Sequence, residues 1–211
     1  DGGTLLLTGT GVVKNTGIPI VWGALSSSLG TAGEGFFHDH GTLFVEGTFT
    51  NTGLMTWRGA RVYGPVTIQN NPGGTVQVNS GGADVPTLGS GAIFRNRGTF
   101  RQNRTMIVEL GSMLWTSNGG RYELADGDLN GEGVLRISNN GTLLRPIDGN
   151  TSTSDINLST TIDSGSVLVE KGTLEFRKGG SWDNGSLSVE QDTAINIAGA
   201  DDYDVCLLYT S

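Results

Sequence analysis

The chain has 211 residues, 35 of them Gly, with 36% hydrophobic residues, 16% charged residues and a net charge of −8. Gly costs a helix interior about 1 kcal/mol against Ala, and no dozen-residue window keeps a 3.6-residue period clear of Gly, Pro or a Ser/Thr/Asn cluster, so helices are excluded. The low charge, only 5 Pro and regularly spaced Val, Ile, Leu and Phe exclude a disordered class, and the acidic balance excludes nonspecific nucleic-acid binding, which needs positive fields to displace counterions.

The opening Asp1-Gly2-Gly3-Thr4 has neither a basic nor an apolar leader region, and no run reaches the ~18 apolar residues of a membrane-spanning helix. The chain starts within a repeat, which predicts a fragment of a longer protein, with any export signal outside it. Gly3-Thr4-Leu5 is the first copy of a unit in which Gly precedes a small or β-branched residue and then an apolar one. The unit returns at Gly41-Thr42-Leu43, Gly74-Thr75-Val76, Gly98-Thr99-Phe100, Gly141-Thr142-Leu143 and Gly172-Thr173-Leu174, among others. Each copy predicts a turn entering a short strand, and stretches such as Val167-Leu168-Val169 fit the two-residue strand period. Residues 22–40 are less regular and predict an insertion, and the polar run 149–155 predicts a second one, a loop protruding from the repeat.

A longer period emerges from the glycines with Asn or Asp just upstream, Gly53, Gly74, Gly98, Gly119, Gly141, Gly165 and Gly185, whose spacings are 21, 24, 21, 22, 24 and 20. An apolar residue stands two places after most of them: Met55, Val76, Phe100, Leu143, Val167 and Leu187. The rung at Gly119 departs, with Arg121 in that place and Tyr122 one further on. A period of about 22 residues holding two or three short strands predicts an all-β chain folded as a β-solenoid, a right-handed parallel β-helix. No coil buries its own apolar row, but stacking at about 4.8 Å joins the rows into one core. Asn repeated at one turn would form an internal ladder of amide hydrogen bonds. A β-sandwich, with turn signals at a similar density, is the alternative. Residues 1–205 read as a single solenoid segment without a domain boundary.

The only cysteine is Cys206. The final Cys206-Leu207-Leu208-Tyr209-Thr210-Ser211 can be encoded by TGT CTC TTA TAC ACA TCT, which resembles the transposon end used in library preparation. Residues 206–211 therefore read as translated adaptor; the alternative is a genuine terminal strand, Val205-Cys206-Leu207-Leu208-Tyr209. Without Cys206 the segment has no thiol, which excludes thiol catalysis, cysteine-zinc sites and disulfides.

Gly47-Thr48-Phe49-Thr50-Asn51-Thr52-Gly53, Leu129-Asn130-Gly131-Glu132-Gly133-Val134-Leu135, Asn139-Asn140-Gly141-Thr142-Leu143 and Glu170-Lys171-Gly172-Thr173-Leu174-Glu175-Phe176 resemble the repeat regions of large secreted bacterial surface proteins, adhesin-like and autotransporter-passenger-like. The resemblance covers most of residues 41–205. It implies a β-helical segment in an extracellular or outer-cell-surface setting, and it transfers no catalytic or binding residue.

Four groups of side chains are candidates for chemistry. His38 and His40 would share one strand face and could chelate a transition metal; the alternative is a solvent-facing polar pair. Asp126, Asp128 and Asn130 match the first half of a calcium loop, but its twelfth position is Ile137 instead of Glu, so an ordinary turn competes with a weak calcium site. Arg95, Arg97, Arg101 and Arg104 are the only basic concentration, suited to carboxylates or sulfates of acidic glycans; the alternative is outward strand positions that balance an acidic protein. Trp57, Trp115 and Trp182 offer either glycan platforms or core packing, and the first two follow similar phrases that predict a shared slot.

Repetition without a concentration of acid, base and nucleophile predicts a noncatalytic structural or adhesive segment with no cofactor. Its expected partners are further coils of its parent chain and extracellular glycans or neighbouring surfaces, with no nucleic acid and no membrane span. The alternatives are a β-helical polysaccharide lyase or hydrolase, for which Asp126 and Asp128 would be the carboxylates, and a carbohydrate-binding module.

Overall fold

The computed structural model describes residues 47–59, 61–80 and 84–198 with their side chains, and the backbone of Gly3–Leu7, Val13–Asn15, Ile20–Ser27, Phe36–His38, Thr42–Asn51 and Tyr203–Cys206. Among the described residues there are 24 strands, no helix, and only parallel strand pairs. Hydrogen-bonded neighbours lie about 21 residues apart over about 7 turns, so the chain is a β-solenoid. The sandwich alternative is thereby overturned: its hairpins reverse the chain, whereas here Gly and Asx residues turn a corner and the chain comes round to pair one coil later.

Each coil has three strand faces. The first carries Val66–Asn70, Ile93–Asn96 and Met113–Thr116, the second Thr75–Val78, Thr99–Asn103 and Arg121–Asp126, and the third Thr87–Leu88 and Met106–Val108. Other coils fuse the third face to the first face of the next coil in the long strands Thr42–Asn51, Leu129–Ser138 and Thr153–Asp163, the last two paired with a register shift between Asn130 and Val134. Gly131 stands at this shift with φ +130°, where a Cβ would collide with the Val108 carbonyl.

Strand alternation sends every second side chain inward. Met55, Val76, Phe100, Tyr122, Leu143, Val167 and Leu187 stand in register on the second face, and all but Leu187 are buried. This is the predicted apolar ladder, and Tyr122 completes the rung that departed. The departure is a matter of corner length: four residues, 117–120, separate Thr116 from Arg121, and two, 97–98, separate Asn96 from Thr99. Gly120, not Gly119, occupies the place of Gly98. Phe100 meets Phe94 and Tyr122 edge-on, with ring centroids 4.9 and 5.3 Å apart.

The amide ladder exists over three coils, and the member before Gly74 is Asn70, not the adjacent Asn71. Asn51, Asn70 and Asn96 are in register and fully buried. Asn51 Nδ2 donates to Asn70 Oδ1 at 2.8 Å, and Asn70 Nδ2 to Asn96 Oδ1 at 2.8 Å. Asn96 Nδ2 then reaches Thr116 Oγ1 at 3.4 Å, and Ile137, Ile162 and Trp182 continue the column as apolar residues. Asn118, Asn139, Asn140 and Asn184 have positive φ instead; they shape corners, a conformation Asn tolerates better than most residues.

The run 149–155 joins the second face to the third. Thr153, Ser154 and Asp155 open the strand Thr153–Asp163 in register with Thr173–Glu175, and residues 149–152 fold over the guanidinium of Arg145. In 22–40, Ile20–Ser27 and Phe36–His38 pair with their neighbours as coil strands, and the residues between them lie outside the described set. Cys206 is the last residue of Tyr203–Cys206, paired with Asp183; residues 207–211 lie outside the described set. Trp57 and Trp115 do not share a slot: Trp57 points inward from the second face and is fully buried, as is Trp182 on the first, whereas Trp115 points outward.

Candidate functional site

The outward side of the first face carries a column of arginine and tryptophan side chains. Gln69, Arg95, Trp115 and Arg136 are in register on successive rungs. Rungs about 4.8 Å apart force flat side chains into a stack. The Arg95 guanidinium lies 4.8 Å from the Trp115 ring centroid and that of Arg136 5.3 Å, so the indole sits between two cations. Trp115 Nε1 donates to Ser138 Oγ at 2.7 Å, which fixes the ring. Arg136 has a loose contact of 3.7 Å with Asp163; among the described residues Arg95 has no carboxylate partner. Beside this column Ile93, Met113 and Val134 form a second, half-buried, apolar one.

The four arginines singled out by sequence do not form one patch. Arg95 is outward on the first face, Arg97 is exposed at the next corner, Arg101 is outward on the second face, and Arg104 follows that strand. Arg101 is occupied: its Nη1 meets Glu123 and its Nη2 meets Asp148, each at 2.9 Å. Burial disfavours its charge, but the hydrogen bonds to Asp148 and Glu123 outweigh that and hold its pKa above the ordinary value. Arg104 Nη1 donates to the Arg58 carbonyl at 2.7 Å.

Asp126, Asp128 and Asn130 lie at the passage from the second to the third face, and their oxygens serve different neighbours. Asp126 Oδ1 accepts from its own Gly127 amide at 2.8 Å, Asp128 Oδ1 from the Asp155 amide at 2.9 Å, and Asn130 Oδ1 from Asn157 Nδ2 at 2.6 Å. Among the described residues no three His, Cys, Asp or Glu side chains converge at metal-binding distance. His40 lies outside the described residues, and of His38 only the backbone, in Phe36–His38, is described.

Sequence reasoning named Arg95 and Trp115 separately but missed Arg136 and the stack the three form, because corner lengths shift the count from Gly to the preceding strand: Arg95 stands three before Gly98, Trp115 five before Gly120 and Arg136 five before Gly141. Counting backward from each corner Gly, with the strand pattern as a guide, would have aligned them. It also missed Arg145, an arginine in the core column.

No family model, no curated protein and no solved structure matches the chain. What the geometry defines is a class of architecture, a three-faced parallel β-solenoid whose outward columns carry its polar chemistry.

Proposed function

We propose that the chain is a noncatalytic structural or adhesive repeat segment of an exported bacterial cell-surface protein. The observation that carries this reading is how the carboxylates are used. Glu123 and Asp148 are tied to Arg101, Asp155 and Glu175 to Arg177, and Glu109 to Arg61, while Asp126 and Asp128 hold backbone amides. Glycoside hydrolysis uses two carboxyl groups facing one cleft; here Glu109, Glu123, Asp128, Asp148 and Asp155 link one coil to another, and Asp126 and Glu175 bond residues of their own coil. A rod whose coils repeat one plan suits display and spacing at a cell surface, and the surface setting rests on the resemblance of the Asn-x-Gly-Thr-Leu phrases to secreted repeat proteins.

The test has two arms. Incubation with a panel of neutral and acidic polysaccharides is expected to release neither reducing ends nor unsaturated products; release above a heat-denatured control would replace this reading with a polysaccharide lyase or hydrolase. Antibodies to the chain are expected to label intact cells that make the parent protein, and labelling only after permeabilisation would remove the surface assignment.

A further inference from the structure

The first face carries two arginines that the acidic molecule neutralises only in part: Arg136 meets Asp163 at 3.7 Å, and among the described residues Arg95 meets no carboxylate. Arg95 and Arg136 stand two rungs apart, about 10 Å by the spacing of strands, and both are held flat by the ring between them. Holding them there reduces the entropy an arginine loses on gripping a ligand. Next to them run the half-exposed aliphatic side chains of Ile93, Met113 and Val134. One column therefore offers charge-assisted donors at a fixed interval, and its neighbour an apolar strip parallel to it.

We propose that this face binds an extended acidic polysaccharide lying along the solenoid axis, with the carboxylates on one edge of the polymer taken by Arg95 and Arg136. Guanidinium forks match carboxylates in geometry and charge. An interval of two rungs suits a polymer with one carboxylate per disaccharide, and the aliphatic column takes the CH-rich face of the sugar between them. A nucleic acid fits less well, because a densely charged polymer is repelled by a protein of net charge −8. The inference goes beyond the noncatalytic role proposed above: loss of binding would remove the ligand and leave the product-release assay unaffected.

The probe is hyaluronan, one glucuronate carboxylate per disaccharide, titrated into the intact chain at low ionic strength. The expected result is saturable binding, weakened by salt, absent with the carboxyl-reduced polymer and stronger than binding to duplex DNA. Arg95→Gln and Arg136→Gln should each weaken it by about tenfold, and Arg95→Lys should restore only part of the loss. Arg61→Gln, at a residue paired with Glu109 on the third face, should leave it unchanged. Absence of binding, equal binding of the carboxyl-reduced polymer, preference for DNA, or full affinity in an Arg95→Gln/Arg136→Gln variant with wild-type melting would each overturn the proposal. The carboxyl-reduced comparison uses the wild-type protein and decides the matter even if a variant fails to fold.

Discussion

Arg145 Nη1 donates to Ser154 Oγ at 2.6 Å inside the solenoid, and both residues are fully buried. Arg145 occupies the inward column that other coils fill with Val78, Leu124 and Val169. Its Nη1 also reaches the Leu124 carbonyl at 3.1 Å, and its Nη2 the carbonyls of Asn150 and Ser152 at 2.8 and 2.6 Å. Burial pulls its pKa down, while the fields of Asp126 and Asp128 push it up. The cation is thus solvated by the corner it organises. Arg145→Met should cost about 3 kcal/mol in urea unfolding, since it orphans buried acceptors. It should also speed hydrogen exchange around 150–157; unchanged exchange there would show that the corner holds itself.

The amide ladder should respond to charge more than to size. Asn70 accepts from Asn51 and donates to Asn96, the Gly74 carbonyl at 3.2 Å and the Thr99 carbonyl at 3.0 Å. Asn70→Asp keeps the shape, removes both donors and buries a carboxylate, so it should cost about 3 kcal/mol or more at neutral pH. Because Ile137 and Ile162 fill the same column further along, the triple replacement of Asn51, Asn70 and Asn96 by Val should cost less than the sum of its single changes. A double-mutant cycle showing strict additivity would refute the coupling.

These two devices mark where the sequence was legible. Met55, Val76, Phe100, Leu143, Val167 and Leu187 revealed the coil because one short step, Gly to apolar, is the same length in each. The step across the other side of the corner is not: two residues separate Asn51 from Leu54 and four separate Asn70 from Thr75. The register of the first face, which brings Asn70 into the ladder and stacks Arg95, Trp115 and Arg136, was therefore hidden by uneven corners. Arg145 was hidden for another reason: no local pattern distinguishes an arginine that will be solvated by carbonyls from one that faces water.

Tyr122 supplies a pH dependence. Its hydroxyl donates to Gln102 Oε1 at 2.6 Å in the core, and burial pushes its pKa well above the ordinary tyrosine value. Below pH about 10 the hydroxyl is neutral in both folded and unfolded chains and contributes no pH dependence. Above it the unfolded tyrosine ionises while the folded one does not, so stability should fall by about 1.4 kcal/mol per pH unit from this residue. Tyr122→Phe should flatten that alkaline slope while losing about 1 kcal/mol at neutral pH. An equal slope in the variant would assign the loss to other groups.

Gly98 and Gly73 should separate two reasons for glycine at corners. A Cβ on Gly98 would collide with the Gly74 carbonyl and approach the Asn71 carbonyl at 2.6 Å, so Gly98→Ala must push coils apart. Gly73, with φ +85°, has open space around the same atom. Gly73→Ala should therefore cost about 1 kcal/mol, the strain of a left-handed residue, and Gly98→Ala at least twice that. Equal costs in chemical unfolding would show that conformation, not coil contact, governs both.

Val169 and Val189 occupy one inward column on consecutive second-face strands, yet Val169 is fully buried and Val189 is 51% exposed. Among the described residues no strand pairs with the far edge of Ser186–Val189, and Ile197 on the third face is 43% exposed in the same coil. Solenoid stability is close to a sum of neighbour contacts, so identical truncations should differ by position. Val169→Ala should cost about 2 kcal/mol in global unfolding, and Val189→Ala less than about 0.5 kcal/mol. Amides of Ser186–Val189 should exchange well before those of Ser166–Val169, and equal protection of the two strands would mean that this coil is covered by contacts its exposed valine does not reveal.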